Sequence, residues 1–480
     1  MSRQNKEKVL KAGIGYTVGN FLVKGLSFLT VPVFIRLMTQ ADFGDYITLM
    51  SYESIFSILI GFTIHTSFKN ARYKYNENFD KYISSIIILI LISTGGFIVI
   101  ANLLKAINVG FANVDLFSVN ALMFYSASTA FIMCYNSYVA INYEYNSYIK
   151  VTLLNAIGNV ILSVFFIVVV FRNNTYMGRL IGSVIPMILT SALIIRKLYT
   201  VRNMTVSEMK PYWSWGLKYS LPTVPHGLSQ IVLSQFDRIL IRDMIGSEEA
   251  AIYGFAFTVF LVVSVVTSSL TGVWDQWFYE QLNDNKTDTI REAAKQFTIV
   301  FLRFCACYML VSPEVVIIRG KPEYYASMYC VFPIVASGFF IFLYTFPAEI
   351  EYYYAKTKLI AICTSIAAAV NLVLNYILIG KYGYISAAYT TLVTYILYFI
   401  LHYVVSLKIY GKQLYDLKTF IISGIIIVGF IPLCQVMIKM GLLRWLLAIL
   451  IFAATVIYAQ KAFNLFELIR VYILKKGVKQ

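Results

Sequence analysis

The chain has 480 residues, of which 59% are hydrophobic and 13% are charged, and its mean hydropathy is +0.71. An ordinary soluble domain carries about 25% charged residues, so this composition argues against a soluble enzyme or binding module and favours an integral membrane protein. The formal net charge is +16.

Fourteen apolar runs are long enough to cross a bilayer as helices, which needs about 20 residues each. In chain order they cover residues 12–35, 46–66, 82–104, 117–142, 149–171, 177–195, 216–241, 251–273, 296–318, 328–348, 359–379, 385–406, 419–438 and 443–463. Backbone groups in lipid must be satisfied within a segment, and the alternation of barrel strands is absent. We therefore predict an all-α membrane protein of about 14 transmembrane helices, the first of which is retained because no cleavage site follows a short apolar core.

Lysine and arginine are distributed unevenly between alternate connections. We counted basic residues near the ends of a span with the adjoining connection. If both termini are cytoplasmic, the inner regions then hold 27 of the 40 basic residues, the outer connections hold 11, and Lys24 and Arg303 lie deeper within spans. This is the positive-inside pattern of a multi-pass protein of the bacterial cytoplasmic (inner) membrane with both termini cytoplasmic. The net charge is thereby explained as a topology signal, and no nucleic-acid partner is expected.

An internal repeat relates the ends of the first and seventh spans. Residues 36–46 and 242–253 contain Arg, Met, an acid and Tyr in the same order, with one extra residue before Tyr in the second copy. Parallel repeats of this kind place a pseudo-twofold axis along the membrane normal, with a site between the lobes. We predict two pseudo-symmetric six-helix lobes, 1–200 and 201–412, followed by helices 13 and 14 and a cytoplasmic tail (413–480). The alternative is a chance likeness of two interfacial loops.

Three stretches with polar and aromatic residues stand out in the sequence. They are Tyr16, Asn20, Lys24, Pro32 and Asp42-Phe-Gly-Asp-Tyr46; Phe236-Asp237-Arg238 with Ala251-Ile-Tyr253; and Tyr354-Ala-Lys356-Thr-Lys358, Asn371 to Ile379 and Lys381 to Ala388. Here the chain resembles the Wzx-type oligosaccharide flippases of the multidrug/oligosaccharidyl-lipid/polysaccharide exporter superfamily. One departure is Ile385-Ser386, where many relatives have a glycine before the paired alanines.

The resemblance implies a transporter, not an enzyme. It implies alternating access and a lipid diphosphate-linked oligosaccharide substrate, usually carried on undecaprenol in bacteria. Such a substrate crosses from the cytoplasmic to the outer leaflet for synthesis of lipopolysaccharide O-antigen or capsule. The expected partners are this substrate, membrane lipids and polysaccharide polymerase machinery.

Lys24 is the cation best placed to contact a diphosphate. It lies about 18 Å from the cytoplasmic edge of its span, at about 1.5 Å per residue. A lysine at that depth costs about 2.5–3.5 kcal/mol on insertion scales, so we predict that Lys24 and Asn20 line a wet central cavity. Glu53 could reach the same level, and a Lys24–Glu53 salt bridge broken by the arriving diphosphate would couple binding to movement. A static ion pair is the alternative.

Charged residues near span ends are further candidates. Arg303, about 10 Å into the ninth span, is assigned to the cavity or, by snorkelling, to the boundary. The candidates for gating and ion coupling are, on the outer side, Asp237, Arg238, Arg36 and Arg242, and, on the inner side, Asp275, with Glu349 and Glu351 nearby. Interfacial anchoring is the alternative explanation for these residues.

No enzymatic constellation stands out in the sequence. All six cysteines fall in apolar runs, which favours free core cysteines over a metal site or disulfide. We therefore expect no catalytic residues, no metal and no cofactor, and leave open coupling to protons or sodium ions. A cation-coupled multidrug antiporter of the same superfamily is the main alternative. A membrane glycan polymerase is a weaker one, because no large external loop is present to carry its reacting groups.

Overall fold

The computed structural model describes Gly19, residues 24–107 and residues 114–463, and every regular element in these parts of the chain is helical. The α-helices are α1 (24–37), α2 (Gln40–Gly61), α3 (Phe68–Tyr75), α4 (Phe79–Ala106), α5 (Leu116–Ile141), α6 (Tyr145–Phe165), α7 (Thr175–Leu198), α8 (Val206–Ser220), α9 (Val224–Met244), α10 (Ser247–Asn283), α11 (Thr287–Arg319), α12 (Met328–Tyr353), α13 (Thr357–Tyr382), α14 (Ile385–Tyr410), α15 (Leu417–Met437) and α16 (Gly441–Phe463). The predicted all-α fold class is confirmed. Each predicted span coincides with one of these helices, except that the seventh is divided between α8 and α9 and the first is described only from residue 24. The short helix α3 is additional.

Eleven helices in the described part of the chain are long and apolar enough to cross a membrane. The chain is therefore a multi-pass membrane protein. The three predicted spans outside this set are α1, which is described only from residue 24, and the more polar α2 and α9. Polar residues inside membrane helices are expensive and mark functional positions. Most of the predicted site residues lie on these three helices.

The seventh predicted span is interrupted near its start. The sequence favours one apolar run over 216–241, but α8 ends at Ser220, a 3₁₀ turn covers Leu221–Thr223, and α9 begins at Val224. Pro222 and Pro225 explain the break, because proline lacks an amide donor and fits best in the first turn of a helix. The residues before the break belong to α8, which begins with a capping box made by Thr205 and Glu208.

Packing divides the chain into two compact units, one ending at Gly254 and one beginning at Phe255. In the first unit, α2 packs on α5, α7 and α9, and α6 packs on α7. In the second unit, α12 is central: it packs on α11, α14 and α15, and 83% of its apolar window is buried. The lobe boundaries predicted at residues 200 and 412 stay a prediction.

Candidate functional site

The two segments that the sequence relates as copies of a repeat lie against each other within the first unit. Arg242 Nε donates to Asp45 Oδ1 at 3.0 Å, and Ser247 Oγ donates to the same oxygen at 2.7 Å. Gln40 Nε2 donates to the carbonyl of Glu248 at 3.2 Å. We call these contacts between the start of α2 and the α9–α10 corner the repeat latch. The sequence singled out Arg242 as a gating residue but did not identify Asp45 as its partner.

Gly44 allows the latch to form. A Cβ atom at this position would overlap the carbonyl of Ser247 and would lie 3.2 Å from the backbone nitrogen of Ala251. The obstacle is backbone, which cannot rotate away as a side chain can. Glycine is therefore required where α2 meets α10, and this explains the glycine in the Asp42-Phe-Gly-Asp-Tyr46 turn.

A small pocket of about 60 Å³ adjoins the latch. Its lining consists of Asp45, Thr48, Leu49, Tyr52, Val114, Asp115, Tyr176 and Arg242. Two carboxylates face a single guanidinium there, so the lining does not favour a diphosphate. Asp115 also has a structural role, because it accepts the amide of Ser118 at 2.9 Å as the N-cap of α5.

Asp237 and Arg238 are buried in α9, with 1% and 8% of their surface exposed. The charge distribution predicts that this end of α9 lies on the outer side. The Tyr253 hydroxyl donates to Asp237 Oδ2, and Arg238 donates to the Ser234 carbonyl at 3.2 Å and to the Gln235 side chain. Buried charges of this kind need such partners to offset desolvation. Asp237 and Tyr253 therefore fix the α9–α10 corner that presents Arg242 to Asp45.

Arg36 was predicted to take part in the same gate. Its Nη1 donates to the carbonyl of Pro32 at 3.1 Å, one turn earlier in α1. This contact lies within α1, near its end. Its part in gating stays a prediction.

Arg179 is a cation at the start of the sixth predicted span that was counted with the preceding connection and was not among the predicted site residues. Its guanidinium donates to Asn159 Oδ1 and Ser163 Oγ, both at 2.6 Å. It also lies over the rings of Phe34 and Tyr46, with 3.7 Å and 4.6 Å to the centroids. A planar guanidinium suits simultaneous stacking and hydrogen bonding. Arg179 therefore ties α7 to α1, α2 and α6 near the latch.

Glu53 is buried on α2, with 9% of its surface exposed. Among the residues that the structure describes, its Oε1 has no hydrogen-bond partner, while its side chain hydrogen-bonds to Thr129 of α5. A buried carboxylate oxygen left unpaired costs about 1–3 kcal/mol. Lys24, half-buried at the start of the described part of α1, belongs to the same unit, and Asn20 lies outside the described residues.

The two remaining predicted residues lie in the second unit. Arg303 stacks over Tyr458 at 4.6 Å and donates to the carbonyl of Ala454 at 3.3 Å, so it joins α11 to α16. Asp275 hydrogen-bonds to Glu349 of α12. These contacts favour the boundary alternative for Arg303 and show that Asp275 contacts one of the acids near the end of the tenth predicted span. No group of His, Cys, Asp and Glu residues within the described ranges could hold a metal ion.

Residues 9–274 match the family model described as polysaccharide biosynthesis protein. This match covers more than half of the chain and includes the whole repeat latch. The chain belongs to the polysaccharide biosynthesis protein family. Within this polysaccharide biosynthesis protein, Arg303, Asp275 and Glu349 lie beyond the matched stretch.

Comparison with known proteins places the family member in a wider group. A Lsg locus protein of Haemophilus influenzae is 23% identical over 381 residues, which are 76% of this chain and 89% of that protein. The structure is similar to the lipid II flippase MurJ in an inward closed conformation, with a TM-score of 0.71 and 15% identity over 94% of this chain and 99% of that one. It is also similar to an inward-facing multidrug resistance MATE family transporter of the MOP superfamily, with a TM-score of 0.63 and 13% identity over 81% and 96% of the two chains. The predicted resemblance is confirmed at the level of the family and of the fold.

Proposed function

We propose that the chain flips a lipid diphosphate-linked oligosaccharide, carried on undecaprenol, from the cytoplasmic to the outer leaflet of the bacterial inner membrane. Family membership and the fold shared with a lipid II flippase support this proposal. The observation that carries it is the repeat latch, because it provides a closure where α2 meets the α9–α10 corner. With both termini cytoplasmic, as the charge distribution predicts, this closure lies on the outer side.

The latch has the strength expected of a reversible gate. The side chains of Arg242 and Asp45 remain 14% and 33% exposed, and partly exposed ion pairs contribute only about 0–1 kcal/mol. A few such contacts can be broken by a ligand that binds one conformation a few kcal/mol more tightly. We propose that the closed latch belongs to an outer-closed state of an alternating-access cycle.

Lys24 and Glu53, which lie deeper in the predicted spans, act on the substrate. Lys24 contacts the diphosphate, and Glu53 pairs with Lys24 while the diphosphate is absent, so that arrival of the substrate breaks this pair as the gate moves. No cofactor is required, and a proton or sodium gradient drives the cycle. At the outer leaflet, the flipped sugar becomes a substrate for the polymerase machinery that makes O-antigen or capsule.

A cation-coupled multidrug antiporter is the second candidate function. The observation that favours it is the fold similarity to MATE family transporters. Family membership favours the polysaccharide function, because the family model covers the latch and both polar helices α2 and α9. A membrane glycan polymerase is the weakest candidate.

Deletion of the gene in its host, followed by analysis of lipid-linked sugars, tests the proposal. We expect complete repeat units to accumulate on the cytoplasmic face, because the sugars are assembled but not moved. Complementation with the intact chain should remove the accumulated units. Normal surface glycan together with altered drug sensitivity would instead support the antiporter.

A further inference from the structure

A histidine and a glutamate form a buried pair in the second unit. His402 Nδ1 of α14 lies 2.7 Å from Glu351 Oε1 of α12, and both side chains are 0% exposed. Among the described residues, the other oxygen of Glu351 and the other ring nitrogen of His402 have no hydrogen-bond partner. Leaving two buried polar atoms without hydrogen bonds is unfavourable. A pair serving only to join helices would be expected to satisfy them.

Aromatic rings enclose the pair. The ring of Tyr398 lies edge-on to the imidazole at 4.5 Å, and the ring of Tyr344 lies 5.5 Å away. The Tyr398 hydroxyl is 3.2 Å from Thr364 Oγ1 of α13, so three helices close around the pair. This enclosure keeps water from Glu351 and His402 in the conformation described.

The titratable side chains that contact the pair or interact electrostatically with Glu351 are phenols and a thiol. They are Tyr344 and Tyr352 on α12, Tyr398 on α14 and Cys363 on α13, and Tyr352 also interacts with the acids Glu349 and Asp275. None of these groups carries a positive charge that could balance an ionised Glu351. A proton held by the pair itself would balance that charge.

The Glu351–His402 pair has two relevant protonation states, which differ by one proton. With Glu351 ionised and His402 neutral, the pair has a net charge of −1, and burying such a charge is strongly unfavourable. One more proton, on the imidazole or the carboxylate, makes the pair neutral. Histidine is the side chain suited to gain and lose a proton near neutral pH. The closed conformation should therefore hold the proton, and access to water should allow its release.

We infer that Glu351 and His402 form a proton-binding site whose loading and release drive transport. The inference rests on the proposed function and deepens it by naming the proton, not sodium, as the coupling ion. Movement of α12 relative to α14 would open the site to water. The proton would then leave the imidazole or the carboxylate for solvent, with no other bond broken.

The first test detects proton binding without any transport. The full-length protein contains only three histidines, so labelling with ¹⁵N-histidine gives few imidazole signals, and His402→Asn identifies those of His402. We expect the His402 signals to pass between two protonation states across a titration from about pH 5 to 9, and Glu351→Gln to displace that change. Glu323→Gln, at an exposed position, is the matched control. Signals that stay in one state across the range would overturn the inference.

The second test measures coupling in vesicles containing the reconstituted full-length protein. The probe is a fluorescent undecaprenyl diphosphate-linked N-acetylglucosamine, and the readout is its distribution between leaflets. For one proton per cycle, a gradient of two pH units should bias that distribution by about 100-fold. Glu351→Gln and His402→Asn should abolish the bias, while Glu323→Gln should retain it.

The two proposals fail in different ways in this assay. Flipping by the intact protein that ignores the pH gradient, or follows a sodium gradient, would overturn the proton site and leave the flippase standing. A bias that persists in both pair variants would do the same. Absence of any flipping would count against the proposed function, and the imidazole titration would then decide the inference.

Discussion

Replacing Lys24 by glutamine is expected to reduce export of the lipid-linked sugar by about 10- to 100-fold. A hydrogen bond to a charged group contributes about 1.5–3 kcal/mol, which corresponds to that range. The loss should be large because few cations lie deep enough in a span to meet the diphosphate. Surface glycan in the complemented deletion strain, normalised to protein in the membrane, gives the measurement.

Charge, not side-chain shape, should explain the effect of Lys24. Lys24→Arg keeps the cation and should retain most of the export, although arginine presents it differently. Lys381→Gln, at an exposed position at the end of α13, removes a lysine without approaching the predicted cavity and should have little effect. Normal export by a well-expressed Lys24→Gln protein would remove Lys24 from the diphosphate site.

Oxidation of a cysteine pair introduced by Asp45→Cys and Ser247→Cys is expected to stop export. The native side chains approach to 2.7 Å, so the two sulfurs should come within disulfide reach. A covalent bond across the repeat latch would hold the outer side closed, and the substrate could not leave. Export should return when a reductant breaks the bond, which distinguishes a trapped state from a misfolded one.

A second cysteine pair controls for cross-linking itself. Asn102 of α4 and Asn120 of α5 are joined by a hydrogen bond of 2.9 Å within the same predicted lobe. Cross-linking Asn102→Cys to Asn120→Cys should leave export unchanged, because those helices move together. The native cysteines in the described ranges are buried, apart from the half-buried Cys307, so they should not compete. Full export with the Asp45–Ser247 bridge closed would show that the latch is not a gate.

The helices could be predicted because membrane insertion imposes a one-dimensional pattern. A span needs a run of apolar residues of fixed length, and that pattern survives in sequence even where packing is unknown. The break between α8 and α9 escaped prediction as a boundary, since Pro222 and Pro225 can kink a span or divide it. Backbone geometry decides between these outcomes, and apolar content does not.

Partners of the site residues were harder to predict than the residues themselves. The internal repeat identified the two segments of the latch, but only the fold shows that Asp45 meets Arg242. Arg179 was missed because its place at the start of a predicted span is that of an ordinary interfacial cation, whereas it lies over Phe34 and Tyr46. Rotation of a helix about its axis determines such contacts, and a single sequence carries little information on rotation.

The Glu351–His402 pair illustrates the same limit. Glu351 was noted near the end of its span, but His402 lies 51 residues later in an otherwise apolar run. A histidine in such a run gives no sequence signal of its partner. The pair becomes evident only when α12 and α14 are packed together.

The measurement that tests the central claim most directly is movement of the fluorescent undecaprenyl diphosphate-linked N-acetylglucosamine in vesicles without any ion gradient. A membrane-impermeant quencher added outside removes the signal of the outer leaflet alone. With the protein present, we expect the inner-leaflet signal to be quenched as well, because the probe crosses and becomes exposed. An inner-leaflet signal that stays protected, at the level seen in protein-free vesicles, would contradict the proposal that the chain flips lipid-linked sugars.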